Sequence, residues 1–267
     1  MSITIEDRGR VRIITINRPG ARNAVNPETA RALYEAFLDF DAEESVDVAI
    51  FTGAGDHFCA GYDLKSAATG EGQEWIENVI IPDTWSDAVT DPIPGPMGPS
   101  RLILSKPVIA AVEGYAVAGG LELAAWCDMR IAAESATFGV FCRRWGVPLI
   151  DGGTVRLPRL VGQGRANDLI LIGRPVGADE AMRMGLADRV VPDGQALDQA
   201  MELAEALTRF PQECMRADHA SARLSGPELA ASLKREWQSF QSFISEGTSG
   251  AARFSSGKGR GGDFADI

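Results

Sequence analysis

Apolar and polar positions alternate along the first residues of the chain, on both sides of a short polar stretch. Ile3 and Ile5 precede residues 7–10, Asp-Arg-Gly-Arg, and the apolar positions resume at Val11. Such alternation is the spacing of a strand with one buried face. The pattern predicts a β-hairpin over residues 3–16, with its turn at the polar stretch.

A helix is predicted to follow the hairpin. Asn26 is a good N-cap, and Pro27 suits the first helical turn, where its missing N–H costs nothing. Leu33, Phe37 and Phe40 then recur at helical spacing, which predicts a buried stripe on this helix.

Short apolar runs continue along the chain, with helical patterns between them. They lie at 48–52, 108–112, 129–133 and 189–191. Each run has the length and composition of a buried strand. Alternation of strands and helices over this length predicts an α/β fold.

Residues 66–100 break this alternation. Glycine, proline and acidic residues collect there, together with Trp75 and Trp85. A long irregular segment in a compact domain is usually functional. We expect a functional or mobile loop, the alternative being a tolerated surface insertion.

Helical patterns replace strand patterns from residue 196 onward. They cover 196–209, 212–224 and 227–245. Trp237, Phe240 and Ile244 lie at i, i+3 and i+7, which predicts an apolar stripe. The glycine-rich residues 255–267 predict a flexible tail.

Composition narrows the class of protein. Of the 267 residues, 45% are hydrophobic and 24% charged, which is ordinary for a globular protein. No apolar run approaches the ~20 residues that a membrane helix needs, and the N-terminus lacks the features of a signal peptide. The net charge of -11 argues against nucleic acid as a partner.

The four cysteines, at positions 59, 127, 142 and 214, show neither CxxC pairing nor zinc-like spacing. We expect free, mostly buried thiols in a reducing cytoplasm and no metal site. The two histidines, His57 and His219, have no identifiable triad partner.

Two glycine-rich segments carry the candidate chemistry. The first, residues 53–65, follows a predicted strand directly, and its small residues allow a ligand to approach the backbone. The second, residues 106–123, reads as a strand, a glycine turn and a helix. The amide of Gly119 would lie near the N-terminus of that helix, where N–H groups lack partners and negative charge is favoured.

Together and in this order, these segments resemble the crotonase family, also called the enoyl-CoA hydratase/isomerase family. NRPGARNAVNP, CDMRIAAESATFG, GGTVRLPRLVG and GRPVGADEAMRMGLADRVVP are further matches, and the resemblance covers essentially residues 3–195. It implies a spiral of strand–strand–helix turns over 1–195 that binds acyl-CoA. It also implies a helical oligomerisation region over 196–267, and a homotrimer or a dimer of trimers.

The resemblance implies an oxyanion hole of two backbone amides, which match Ala60 and Gly119. Two preorganised amides would stabilise the enolate of an acyl-CoA thioester, at about 3–4 kcal/mol of barrier for each donor. No cofactor is implied besides the coenzyme A of the substrate. The residues expected to line the substrate are Arg22, Ala24, Ala60, Gly61, Tyr62, Asp63, Leu64, Gly119, Gly120, Phe141 and Cys142. For Arg22 the alternative is a solvated surface arginine.

The family's hydratases use two glutamates. The first matches Glu122, nearly one helical turn after Gly119, the alternative being a charge that interacts with the helix dipole. Cys142 stands where the second glutamate is expected. A thiol with an ordinary pKa of about 8.5 is a poor group for positioning water.

Asp151 lies in the glycine-rich turn 146–154, where other family members place a functional aspartate. We hypothesise that it supplies the second carboxylate, the alternative being an N-cap for the following helix. Arg143 and Arg144 are candidates to pair with Asp151 or with a substrate carboxylate, the alternative being structural ion pairs.

The predicted function is that of an enoyl-CoA hydratase, a hydro-lyase acting on a 2-enoyl-CoA. Three alternatives stay open. A double-bond isomerase could work with one shuttling carboxylate, a hydrolase could use Asp151, and a catalytically weak CoA-binding protein would explain the missing glutamate.

Overall fold

The computed structural model describes residues 1–67, 70–240 and 246–258. Its strands are β1 (Ile3–Arg8), β2 (Val11–Ile16), β3 (Val48–Gly53), β4 (Val108–Val112), β5 (Tyr115–Val117), β6 (Met129–Ala133), β7 (Thr137–Gly139), β8 (Val176–Gly177) and β9 (Arg189–Val191). Its α-helices are α1 (Pro27–Ala42), α2 (Leu64–Ala67), α3 (Gly70–Asn78), α4 (Gly119–Trp126), α5 (Gly153–Val161), α6 (Gln163–Ile172), α7 (Ala178–Met184), α8 (Ala196–Thr208), α9 (Gln212–Ala222), α10 (Gly226–Trp237) and α11 (Thr248–Ser255).

The larger sheet has the order β1-β2-β3-β4-β6-β9. Its first pair is the predicted hairpin, antiparallel from Ile3 opposite Ile16 to Arg8 opposite Val11, and the other pairs are parallel. All four apolar runs form strands of this sheet. The α/β prediction is therefore confirmed.

A second layer of short extended segments follows the strands of the larger sheet. β4 leads into β5 and then α4, and β6 leads into β7, which pairs in parallel with β5. Isolated bridges extend this layer from Ala116 to Cys59 and from Tyr62 to Val25. The repeated order of strand, second-layer segment and helix is the predicted spiral.

The first helix forms as predicted. The Asn26 side chain accepts a hydrogen bond from the Thr29 amide at 3.0 Å. Leu33, Phe37 and Phe40 are fully buried. Burying each such side chain contributes about 1.5–3 kcal/mol, so the stripe fastens α1 to the core.

Residues 70–100 pack partly against the core, and part of this segment is helical, in α3. Trp75 and Trp85 are buried. Their indole N–H groups donate to the carbonyls of Pro96 at 2.9 Å and Asp91 at 2.7 Å. Apolar burial with satisfied N–H groups explains why this proline-rich segment is ordered against the core.

The helical C-terminal region lies partly on the larger sheet. Ala196, Ala200 and Ala204 of α8 are buried in a cluster with strand residues. α8, α9 and α10 correspond to the three predicted helices, but α10 ends at Trp237, and residues 241–245, including Ile244, lie outside the described residues. The start of the predicted tail, Ser255, ends α11, and residues 259–267 are likewise outside.

A membrane-crossing helix, long and apolar enough to span a bilayer, does not occur within these described ranges.

Candidate active site

The amide of Gly119 opens helix α4. The preceding residue, Ala118, has φ 54° and ψ −126°, a conformation that is strained for a residue with a side chain. Within the described ranges the Gly119 N–H donates to no backbone carbonyl. The strained turn therefore leaves a donor available at the positive end of a helix, as predicted.

The amide of Ala60 does not face the same side as the amide of Gly119. The Ala60 N–H donates to the carbonyl of Arg22 at 3.0 Å, while the Cys59 carbonyl accepts from Val117 at 3.1 Å. In a trans peptide the C=O and N–H point in opposite directions. The Ala60 N–H therefore points away from the strand that leads to Gly119, and its predicted oxyanion role is wrong.

The amide of Tyr62 has the orientation that Ala60 lacks. The Gly61 carbonyl accepts from Val25 at 2.8 Å. The Tyr62 N–H of the same trans peptide therefore points to the opposite side, where Gly119 lies. Gly61 itself has φ +96°, and a Cβ on it would be 3.1 Å from the Gly119 nitrogen. Glycine is needed there for both the conformation and the close approach.

The segments predicted to bind coenzyme A lie side by side. Val25 pairs with Tyr62, and Asp63 accepts a hydrogen bond from Arg18 at 2.9 Å. Arg22 is exposed, and its guanidinium carbon lies 5.7 Å from the centroid of the Tyr115 ring. The geometry thus groups residues 22–25 with 60–64, and their contact with coenzyme A stays a prediction.

Glu122, on the first turn of α4, is only 3% exposed. Its Oε1 accepts hydrogen bonds from the amides of Asp151 and Gly153, both at 2.9 Å. A Cβ on Gly153 would lie 2.9 Å from this oxygen, so glycine permits the contact. Glu122 is thus a buried, oriented carboxylate on the first turn of α4.

Burial raises the pKa of Glu122 well above its ordinary value, and the charges of Asp151 and Glu236 raise it further. The two amides on Oε1 oppose this shift. A carboxyl group with a raised pKa can both take and return a proton nearer to neutral pH.

Cys142 is buried in the 3-10 helix Phe141–Trp145. Burial, followed by the charge of Glu122, raises the pKa of its thiol to about 12. The position of the family's second glutamate therefore holds a neutral thiol, which argues against Cys142 as a base or nucleophile.

Asp151 serves the site in two ways that the sequence does not reveal. Its backbone amide holds Glu122, and its carboxylate accepts from the Met97 amide at 2.9 Å and from the Ser100 hydroxyl. It does not cap α5, which has Gly152 as N-cap and no side-chain cap bond, so the N-cap alternative is wrong. Burial raises the pKa of Asp151, while the hydrogen bond from Ser100 lowers it.

Met97 covers the oxyanion side of the site. A Cβ on Gly119 would meet the Met97 sulfur at 2.8 Å. Since Asp151 binds the Met97 amide, this part of the proline-rich segment is fixed over Gly119.

The two arginines of the 3-10 helix do not pair with Asp151. Arg143 donates to the carbonyl of Ile170 at 3.1 Å, and Arg144 donates to that of Gly173 at 2.9 Å. The guanidinium of Arg144 also lies 4.1 Å from the centroid of the Phe141 ring. Both arginines bind carbonyls at the C-terminal end of α6, which is a structural role.

Glu236 is a third buried carboxylate, which sequence reasoning missed. It comes from α10 and is 6% exposed. It accepts from the amides of Gly152 at 2.7 Å and Thr154 at 2.9 Å. Its only sequence signal is an acid beside Trp237, on the face where Leu229 and Leu233 are buried.

Comparison with known proteins agrees with this geometry. The profile of the family described as enoyl-CoA hydratase/isomerase matches residues 6–258. The chain is 42% identical over 211 residues to "Enoyl-CoA hydratase EchA19" of Mycobacterium tuberculosis, covering 76% of this chain and 73% of that protein. It is 40% identical over 211 residues to "Carnitinyl-CoA dehydratase" of Salmonella paratyphi A, covering 77% and 74%.

Among solved structures, the carnitinyl-CoA hydratase from Mycobacterium avium superposes with a TM-score of 0.81 at 33% identity, covering 96% of this chain and 95% of that one. The profile match spans nearly the whole chain, including the oxyanion turn, Glu122 and Glu236. The chain belongs to the enoyl-CoA hydratase/isomerase family.

Proposed function

We propose that this protein is a hydro-lyase that adds water to a 2-enoyl-CoA or removes it from the 3-hydroxyacyl-CoA, with Glu122 as its single catalytic glutamate. One observation carries the proposal. Glu122 is buried on the helix that Gly119 opens, and two amides hold one of its oxygens. Two relatives, named as an enoyl-CoA hydratase and a carnitinyl-CoA dehydratase, support this reaction class.

The amides of Gly119 and Tyr62 are the proposed donors to the thioester oxygen. Charge reaches that oxygen only as the enolate forms, so donors fixed beforehand favour the transition state over the ground state. Each is expected to lower the barrier by about 3–4 kcal/mol.

One carboxylate can balance the protons. In dehydration, the Glu122 carboxylate takes the α-proton, and the C–H electrons move to the thioester oxygen. The enolate then expels the β-hydroxyl, which takes the same proton from Glu122 and leaves as water. Hydration is the reverse, so this mechanism requires no proton transfer to or from the neutral thiol of Cys142.

Asp151 has a supporting role in this proposal, because its Oδ1 accepts hydrogen bonds from both Met97 and Ser100 and so anchors the segment that contains them. Asp151→Asn keeps an acceptor oxygen for both donors. We expect this variant to retain turnover within about tenfold, whereas removing a catalytic acid would lower turnover on the order of 10²–10⁴-fold.

The test follows the absorbance of an enoyl-CoA thioester as water adds to it. Glu122→Gln should abolish the change, and Glu134→Gln, the same replacement at an exposed position, should not. Full turnover by Glu122→Gln would refute the proposal. Cys142→Glu supplies a second carboxylate and should increase hydration if the scaffold still accepts the two-glutamate arrangement.

Double-bond isomerisation is the second candidate, and the neutral Cys142 favours it. A single carboxylate can move a proton between the α- and γ-carbons without activating water. Formation of 2-enoyl absorbance from a 3-enoyl-CoA would assign this reaction, and release of free coenzyme A would instead assign hydrolysis.

Assembly into a trimer or a dimer of trimers, in the cytoplasm, also belongs to the proposal. Leu171 and Ile172 at the end of α6 are 72% and 64% exposed, as expected of a surface that another copy covers. The free thiols of Cys59, Cys127 and Cys142 suit a reducing compartment. Light scattering of the purified protein measures the assembly directly.

A further inference from the structure

Four consecutive backbone amides at the start of α5 donate alternately to two carboxylates. The amides of Asp151 and Gly153 donate to Glu122, both at 2.9 Å. Those of Gly152 and Thr154 donate to Glu236, at 2.7 and 2.9 Å. The Thr154 hydroxyl adds a further bond to Glu236 at 2.7 Å.

This arrangement satisfies N–H groups that a helix start would otherwise leave without partners. It draws one carboxylate from α4 and the other from α10, 114 residues later in the chain (236 − 122). Both carboxylates lie at the positive end of the α5 dipole. The turn that orients Glu122 is therefore held from its other side by Glu236.

We propose that Glu236 is a positioning residue, which fixes the turn 151–154 so that its amides hold Glu122 in the orientation for proton transfer. The inference rests on the proposed function of Glu122. It also gives the C-terminal region a role in the site, beyond the expected role in oligomerisation.

Electrostatics supports the geometry. The titratable groups that influence Glu122 are Asp151, Glu236, Arg156 and Cys142. The negative charge of Glu236 raises the pKa of Glu122. Glu236 thus affects both the orientation of Glu122 and the affinity of Glu122 for a proton.

Arg101 offsets part of this negative charge. It is fully buried, lies 4.6 Å from the centroid of the Trp237 ring, and acts on both Asp151 and Glu236. Its Nη1 donates to the carbonyls of Val79 and Pro94. These two bonds do not involve Glu236, so Glu236→Gln removes a negative charge without removing the hydrogen bonds that hold Arg101.

The experiment compares Glu236→Gln and Glu236→Asp with Glu213→Gln, the same chemical change at an exposed position of α9. Glutamine cannot accept from both Gly152 and Thr154 with two oxygens, because its NH₂ group is a donor. We expect Glu236→Gln to lower kcat on the order of tenfold or more, with little change in KM, because misplacing a catalytic group chiefly affects the chemical step.

The pH profile separates positioning from simple stabilisation. In Glu236→Gln the limb of the pH–rate profile that reports Glu122 should move to lower pH. Loosening the turn weakens the amide bonds that lower the pKa of Glu122, but the lost negative charge of Glu236 has a larger effect on that pKa than either amide. Glu236→Asp keeps that charge, so its limb should lie at the wild-type pH. Its kcat should recover only in part, because the shorter side chain holds the turn less well. A lowered melting temperature with unchanged kcat and an unmoved limb would overturn the inference.

A measurement without turnover completes the test. The δ-carbon of Glu122, assigned by its loss in Glu122→Gln, is titrated by ¹³C NMR in each variant. Its pKa should fall in Glu236→Gln and stay constant in Glu213→Gln. Full turnover by Glu122→Gln would refute the proposed function. Loss of turnover in Glu122→Gln, together with wild-type turnover and pH profile in Glu236→Gln, would refute only the role of Glu236.

Discussion

Replacing Gly61 with alanine should damage the oxyanion site more than the fold. The new Cβ would lie 3.1 Å from the Gly119 nitrogen and 2.9 Å from the Ala118 Cβ, so it would crowd the donor that the thioester oxygen needs. Displacing one donor of such a pair costs on the order of 10²–10³-fold in kcat. The positive φ of +96° adds backbone strain of about 1–2 kcal/mol.

Gly55→Ala is the matched control. Gly55 also has a positive φ, +74°, but a Cβ there meets only Pro19 at an ordinary 3.5 Å. Gly55→Ala should therefore lose only the free energy of the strained conformation, and Gly61→Ala should lose more because of its close contacts. Only Gly61→Ala should lose turnover. Equal turnover in the two variants would refute the placement of the oxyanion site beside Gly61.

Three further outcomes follow from the structure. Iodoacetamide at pH 8 should label exposed Cys214 and leave Cys142 unmodified in the native protein, because burial keeps that thiol neutral; mass spectrometry of the peptides checks this. Ala118→Gly should raise the melting temperature or leave it unchanged, since relief of the strained φ of 54° offsets the entropy of glycine; calorimetry checks this. Asp47→Asn should cost about 1–2 kcal/mol at pH 7, a figure discounted for the partly solvated Arg10. The pKa of Asp47 is lowered in the folded state, chiefly by Arg10, so this cost should persist above the ordinary aspartate pKa and vanish as pH falls through the lowered one; urea unfolding against pH checks it.

The sequence predicts the elements well because their signals are local. The alternation in the hairpin, the cap at Asn26 and the stripe of Leu33, Phe37 and Phe40 each lie within one element. The family resemblance then supplies the spiral, which no local pattern contains.

Sequence alone does not decide which amide faces Gly119, for a physical reason. Whether the amide of Ala60 or of Tyr62 faces Gly119 depends on which neighbouring strand each peptide bonds to. Those bonds join segments that are distant in the chain. Sequence alone marks the small residues of this segment but not the direction of its amides.

The carboxylates show the same limit. The family resemblance identifies Glu122, whereas Glu236, 82 residues beyond Thr154 in the chain, meets the same turn from α10. The function of Asp151 was open between catalysis and capping. The structure excludes capping and shows that Asp151 anchors the segment containing Met97 and Ser100, while its catalytic role stays a hypothesis.

A crystal structure of the Glu122→Gln variant with a bound 3-hydroxyacyl-CoA would test the central claim most directly. The account predicts the thioester oxygen within about 3 Å of the amide nitrogens of Gly119 and Tyr62, with the residue 122 side chain beside the α-carbon. A thioester oxygen bound elsewhere, or an α-carbon beyond the reach of residue 122, would contradict it.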